Sequence, residues 1–203
     1  MLCRVATAVA LAAFLIASPL LASVTADEPR SVISKLNSAL LQSMQRADAL
    51  GYEGRREKLS PVIQASFDLK FMIRYSAGRH WKKLTDTQKE TLTGAFSDLT
   101  IATYADRFDG YSGEKFEILA EEEVRKGLKL VKTILQKSDG ERIKLDYLLR
   151  PTGKSWRIID IFVKGRISEL STKRSEYSTA LKRRGYDGLI EILKKKIELL
   201  GAG

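Results

Sequence analysis

From Phe116 to Val163 the chain alternates apolar and polar residues at period two, and on both sides of that stretch its apolar residues recur at helical spacing. The alternating stretch divides at turn signals into four strands. Phe116–Val124 is the first, and 128–137 follows, alternating through Leu128, Leu130 and Ile134. Ser138-Asp139-Gly140 separates it from the third, and its Asp-Gly pair suits the positive φ angles of a two-residue hairpin. Ile143, Leu145 and Tyr147, interleaved with Arg142, Lys144 and Asp146, predict one buried face and one wet face. Pro151-Thr152-Gly153-Lys154 is the next turn, and Trp156–Val163 the last strand. Ile158, Ile159, Ile161 and Phe162 make that strand apolar on both faces, interrupted by Asp160, which must be paired or lie at an edge. Such a strand needs cover on both sides, or one side of it lines an apolar space.

The flanks read as helices. Val32, Ile33, Leu36, Leu40, Met44 and Ala47 form one stripe from Arg30 or Ser31 to about Leu50, where Gly51 ends the helix. The polar segment 52–58 reads as a loop or a frayed turn. Ser60-Pro61 then opens a second helix, with Ser as N-cap and Pro at the first position. Asp68 caps a third, with Phe71, Met72 and Tyr75 facing inward and Gly78 near its end. Thr85-Asp86-Thr87-Gln88 is a capping box for a helix to about Phe108. That helix has two apolar sides: Leu92, Phe96, Leu99 and Ala102 on one, Ile101, Tyr104 and Phe108 on the other. After the sheet, Ser171 or Thr172 to Arg184 and Asp187 to about Leu200 are two more helices, divided by Gly185. Helices, an antiparallel meander and helices again make an α+β fold: a curved antiparallel sheet of about four strands packed on several helices, tending to a cone with an apolar cavity between the layers.

The N-terminus changes the setting. One positive charge at Arg4, an apolar run from Val5 to Ile16 and small residues at Ser18, Ala22, Ser23 and Ala26 describe a secretory signal peptide, cleaved after Ala22 or after Ala26. Residues 1–26 are then the signal and 27–203 a single domain. Cys3, the chain's one cysteine, leaves with the signal, so disulfide and thiol chemistry leave with it. The net charge of +10 suits anionic head groups or an acidic protein, and export argues against nucleic acid.

Motifs for catalysis are sparse. His80 is the single histidine, so no histidine-based metal site can form, and no Gly-x-Ser-x-Gly elbow or phosphate-binding glycine loop is present. Glu121-Glu122-Glu123 alternates faces on a strand and makes no acid–base pair. The basic clusters 182–184 and 194–196 read as helix ends and wet faces or as docking sites.

An ordered series of short motifs resembles the toluene-tolerance, or MlaC-like, family. It comprises Phe67-Asp68-Leu69 with Met72, Trp81 and Leu84-Thr85, then Thr103-Tyr104-Ala105 and Tyr111-Ser112-Gly113. Asp146-Tyr147, Trp156, Ile159-Asp160-Ile161, 174–177 and 185–190 complete it, so that it spans about Ser31 to Leu200. The run 107–114 is most similar to the HpnM branch, associated with hopanoids. The resemblance implies an NTF2-like fold with a deep apolar cavity and a periplasmic lipid carrier. It further implies a monomer that shuttles phospholipid or hopanoid between an outer-membrane lipoprotein complex and an inner-membrane ABC transporter complex. No cofactor, no metal and no enzymatic step are implied, the lipid being cargo. The candidate cavity lining is Phe71, Met72, Tyr75, Trp81, Leu99, Tyr104, Phe108, Leu145, Tyr147, Ile159 and Ile161. Two other readings remain: an adaptor with a filled core that docks partners through basic helices, and an enzyme with Asp160 or Asp68 as base.

Overall fold

The computed structural model of the chain describes residues 28–125 and 127–201; the expected signal, residues 1–26, lies outside them. In chain order the elements are α1 (Pro29–Met44), α2 (Ala47–Ser66), α3 (Leu69–Ala77), a 3-10 turn (Gly78–Lys83) and α4 (Asp86–Arg107). The strands β1 (Lys115–Arg125), β2 (Leu128–Gln136), β3 (Arg142–Thr152), β4 (Ser155–Val163) and β5 (Ile167–Ser168) follow, and α5 (Glu169–Leu200) closes the chain. The strands form one open antiparallel sheet in the order β1-β2-β3-β4-β5, with register shifts in β1 and between β3 and β4 that bend it.

Several boundaries differ from the pattern-based expectation. α1 ends at Met44, earlier than the apolar stripe predicts, and the expected break at Gly51 (φ 60°, ψ −175°) falls as a kink within α2. The polar segment 52–58 is helical because Arg55 ties it down, donating from Nε to Ala105 O at 2.8 Å and from Nη1 to Ala47 O at 3.3 Å. Pro61 therefore lies inside α2, on its exposed side, and Ser60 caps nothing. The β2–β3 turn is longer than two residues. Lys137 N–H donates to Glu141 O, Asp139 accepts from Glu141 N–H, and Gly140 alone takes a positive φ, 88°. Asp139 thus caps the loop instead of adopting a left-handed conformation. The last helix starts at Glu169, its cap Ser168 accepting from Ser171 N–H, and Gly185 (φ 69°, ψ −167°) folds its halves together so that Lys196 meets Glu176 at 3.3 Å. Asp68 and the Thr85/Gln88 box cap α3 and α4 as expected.

The register assigns the faces. Phe116, Ile118, Val131, Tyr147, Leu149, Ile158 and Ile161 share the side that packs on the helices. In β2 it is Val131 and Thr133 that point there, both fully buried, so Leu128, Leu130 and Ile134 occupy the opposite side. That opposite side is not wet throughout. Asp146 is 9% exposed, because the β4–β5 connection crosses it: Lys164 N–H donates to Lys144 O at 2.8 Å, and Gly165 passes Asp146 where a Cβ would stand 3.5 Å from Oδ2.

Asp160 is paired, as a carboxylate among isoleucines must be. Its Oδ1 accepts from Ile161 N–H at 2.7 Å and Leu170 N–H at 2.9 Å, and its Oδ2 from the Ser168 hydroxyl at 2.6 Å. It therefore pins the start of α5 to β4. On the other flank Asp68 N–H donates to Ile158 O at 2.9 Å, which brings the α2–α3 junction against the same strand.

Asp160→Ala leaves buried donors without an acceptor and is expected to lower stability by about 2–4 kcal/mol, read as a shift in the urea midpoint at unchanged slope. Burial pushes the Asp146 carboxyl above its ordinary value, against the opposing pull of the Thr133 backbone, Lys132 and Lys144. With the folded-state pKa above the unfolded one, the protonated acid favours the fold: the contribution is complete below the ordinary carboxylate range and is lost as pH rises through the folded value. Asp146→Asn should accordingly raise the melting temperature at neutral pH, with the gain vanishing in acid; thermal melts across the acid range check it.

Candidate functional site

The helix-facing side of the sheet is packed unevenly from one end to the other. At the end carrying the β3–β4 turn, Val131, Leu149 and Ile158 are 0% exposed and Tyr147 1%. Phe67, at the end of α2, and Met72 and Ile73, on α3, close that end. At the other end, Phe116, Ile118, Leu145 and Ile161 pack on the core but are only partly buried. They face the start of α1, where Arg30 Nη2 donates to Ile118 O at 3.0 Å, and Phe116 meets Phe108 at the C-cap of α4. Side chains on this face are thus fully buried at one end and partly exposed at the other.

A chain of rings runs along this gradient. Phe67 meets Tyr104 edge-on at 5.7 Å, Tyr104 stacks on Phe108 at 5.7 Å, and Phe108 meets Phe116 at 6.2 Å. Tyr104 sits deep enough that burial pushes its phenol well above the ordinary value, with the Tyr147 phenol adding to the rise. Burial likewise raises Tyr147. Yet Tyr104 keeps accessible surface, and so does Phe108. Both rings therefore pack on the core with part of their surface left uncovered. The rings and aliphatic side chains gathered here present an apolar surface, and the raised phenols stay protonated at neutral pH.

A sequence-profile comparison decides the lineage: the family model described as MlaC protein matches residues 34–195. The chain belongs to the MlaC family. Among solved structures, it is similar to a phospholipid-binding protein from Ralstonia solanacearum determined in complex with a phospholipid. The TM-score is 0.75 at 18% sequence identity, over 85% of this chain and 98% of that one, a likeness of fold.

In this MlaC-family chain the expected lining residues separate into three groups. Tyr104, Phe108, Leu145 and Ile161 come together at the loosely packed end, with Tyr147 just behind them. Met72, Trp81 and Leu99 are buried in the main core, while Ile159 is buried at the β3–β4 register shift, outside that core cluster. Tyr75 corrects the expectation that it faces inward, whereas Phe71 packs against the core with part of its ring exposed. Tyr75 is 39% exposed, and Phe71 is half-buried beneath the Arg150 guanidinium, because Met72, Ile73 and Ser76 take the inner side of α3. Phe116 and Ile118 belong to the open end and were missed, although their alternation with Glu117 and Leu119 could have found them.

The carboxylates weighed as a base have structural partners. Asp160 holds α5, and Asp68 accepts from Phe71 N–H at 3.0 Å and from Arg150 Nε at 2.8 Å. Two surface clefts lie away from the layer interface. One of about 450 Å³ sits between the halves of α5, and one of about 300 Å³ at the α1–α2 junction beside Gly110 and Tyr111. Among the described residues no group of three or more His, Cys, Asp or Glu is placed to hold a metal, and no helix is long and apolar enough to cross a membrane.

The uneven packing sets an expectation for enlargement. Val131→Phe at the sealed end should cost about 1–3 kcal/mol through overpacking, whereas Leu145→Phe at the open end should cost under about 1 kcal/mol. Chemical denaturation of the two variants checks the contrast.

Proposed function

We propose that this protein is a periplasmic lipid-binding carrier. It houses the apolar part of one lipid between α4 and the helix-facing side of the sheet, in an NTF2-like cone whose mouth is the loosely packed end. The single observation that carries the reading is the set of half-exposed apolar side chains, Tyr104, Phe108, Phe116, Ile118, Leu145 and Ile161, gathered at one end of an otherwise sealed core. Membership in the MlaC family supports it, as does the shared fold with a protein that holds a phospholipid. The energetics are adequate: at about 0.8 kcal/mol per buried CH₂, an acyl chain carries on the order of 10 kcal/mol, which an apolar wall must match for the lipid to leave a bilayer. The cargo is a phospholipid or a hopanoid. The carrier acts as a monomer without a catalytic step, passing lipid between an inner-membrane ABC transporter complex and an outer-membrane lipoprotein complex.

Native mass spectrometry of protein purified from envelope extract should show one lipid bound per chain, identified by extraction. Leu145→Trp with Ile161→Trp, which fills the mouth, should remove most of that lipid while leaving the thermal transition cooperative. Wild-type protein that is lipid-free from extract and takes up none from liposomes overturns the proposal. That result favours an adaptor with a filled core, a reading that draws on the complete packing of the sealed end.

A further inference from the structure

The outward side of α3 carries a stack of rings and guanidiniums that the cargo site does not use. Phe71 and Tyr75, one turn apart, stack at 6.2 Å with an interplanar angle of 22°. Arg150 from β3 lies 4.5 Å over the Phe71 ring, Arg74 lies 5.9 Å over the same ring, and Arg174 from α5 lies 4.6 Å over Tyr75. Three elements that are distant in sequence thus contribute arginines to one surface. Two of these guanidiniums are fixed in place. Asp68 grips Arg150 through Nε and Nη2, and Arg174 Nη1 donates to Tyr75 O at 3.0 Å, satisfying a carbonyl at the end of α3. Arg157 stands opposite Arg150 in the β3–β4 register and donates to Gln64 O, and Lys70 is exposed one turn before Arg74. Among the described residues, Asp68 is hydrogen-bonded to Arg150 and Asp86 lies within electrostatic reach of Lys70.

We infer that this face docks onto a bilayer surface bearing anionic phospholipid head groups. Charge complementarity is the first reason. The five cations outnumber the two carboxylates that engage them, and arginines held in place by hydrogen bonds and rings retain planar N–H donors that match phosphate oxygens with little further ordering. The second reason is the pair of half-exposed rings between the charges: amphipathic aromatics are stable at the head-group level, where one side meets hydrocarbon and the other water. An acidic protein face would answer the charge but would place carboxylates against the rings. The inference stands on this surface alone and does not depend on what, if anything, the interior carries.

The test is co-sedimentation of the mature chain with vesicles of phosphatidylcholine alone or mixed with phosphatidylglycerol, at low and at high salt. Wild-type protein should sediment with the anionic vesicles at low salt and be released at high salt. Lys70→Gln with Arg74→Gln should weaken vesicle partitioning about five-fold per charge removed, about 25-fold for the pair. Lys194→Gln with Lys195→Gln, the same loss of charge on exposed positions of α5, should leave partitioning within about two-fold of wild type. Equal losses in the two pairs mean that net charge alone drives association, and they overturn the proposal. So does wild-type protein that ignores anionic vesicles, including the case in which it binds an immobilised poly-aspartate peptide instead. Lipid content of the same variants by native mass spectrometry separates the two ideas: docking can fail with cargo retained, and cargo can be absent with docking intact.

Discussion

β4 has apolar residues on both faces, and covering both is the constraint from which the arrangement of the other elements follows. A strand with Ile158, Ile159, Ile161 and Phe162 side by side cannot leave either face to water, and its one carboxylate cannot remain unpaired. Asp160 resolves the second requirement by accepting from Leu170 N–H and Ser168, which fastens α5 to the strand. Asp68 N–H and the Phe67 bridge to Ile158 fasten the α2–α3 junction. The β4–β5 connection turns back across the opposite side and buries Asp146. Helices distant in sequence therefore converge on one strand through a few charge-assisted or backbone hydrogen bonds, and hydrophobic burial does the rest at roughly 1.5–3 kcal/mol for each large side chain fully covered.

Convergence on the middle of β4 has a geometric consequence. Side chains of the sheet are fully buried near Phe67, Ile158 and Leu149 and only partly buried toward Phe116 and Leu145. The sealed end supplies stability; the other end supplies half-covered apolar surface. A fold that must accept an apolar guest without unfolding needs both properties in one molecule, since interiors tolerate little change of volume where they are fully packed. Aromatic rings from Phe67 to Phe116 bridge the two regimes, and their planar shapes can shift against one another at small cost in contact.

The same junction that seals the core also shapes the outside. Asp68 caps α3 with one carboxylate oxygen and holds Arg150 with the other, so the residue that starts the helix also lays a guanidinium over Phe71. Arg174 does the equivalent at the far end of α3. Interior and surface are therefore coupled through α3, whose inner side is core and whose outer side is charge and rings.

Period-two alternation from Phe116 to Val163 and helical spacing on its flanks determined the fold class, the order of the elements and the caps at Asp68 and Thr85, because those features depend on neighbours within a few residues. The same locality limited the reading. Helix continuity through Tyr52–Lys58 depends on Arg55 reaching Ala105, and the burial of Asp146 depends on a loop nearly twenty residues later. The position of Tyr75 on the outer side of α3 depends on which neighbours occupy the inner one. A candidate list drawn from aromatic and aliphatic residues mixed ordinary core, such as Met72 and Leu99, with the open end, because the two are chemically alike. What distinguishes them is how completely neighbours cover each side chain, and only the tertiary structure decided that, through hydrogen bonds between residues tens of positions apart whose pairing no local pattern encodes.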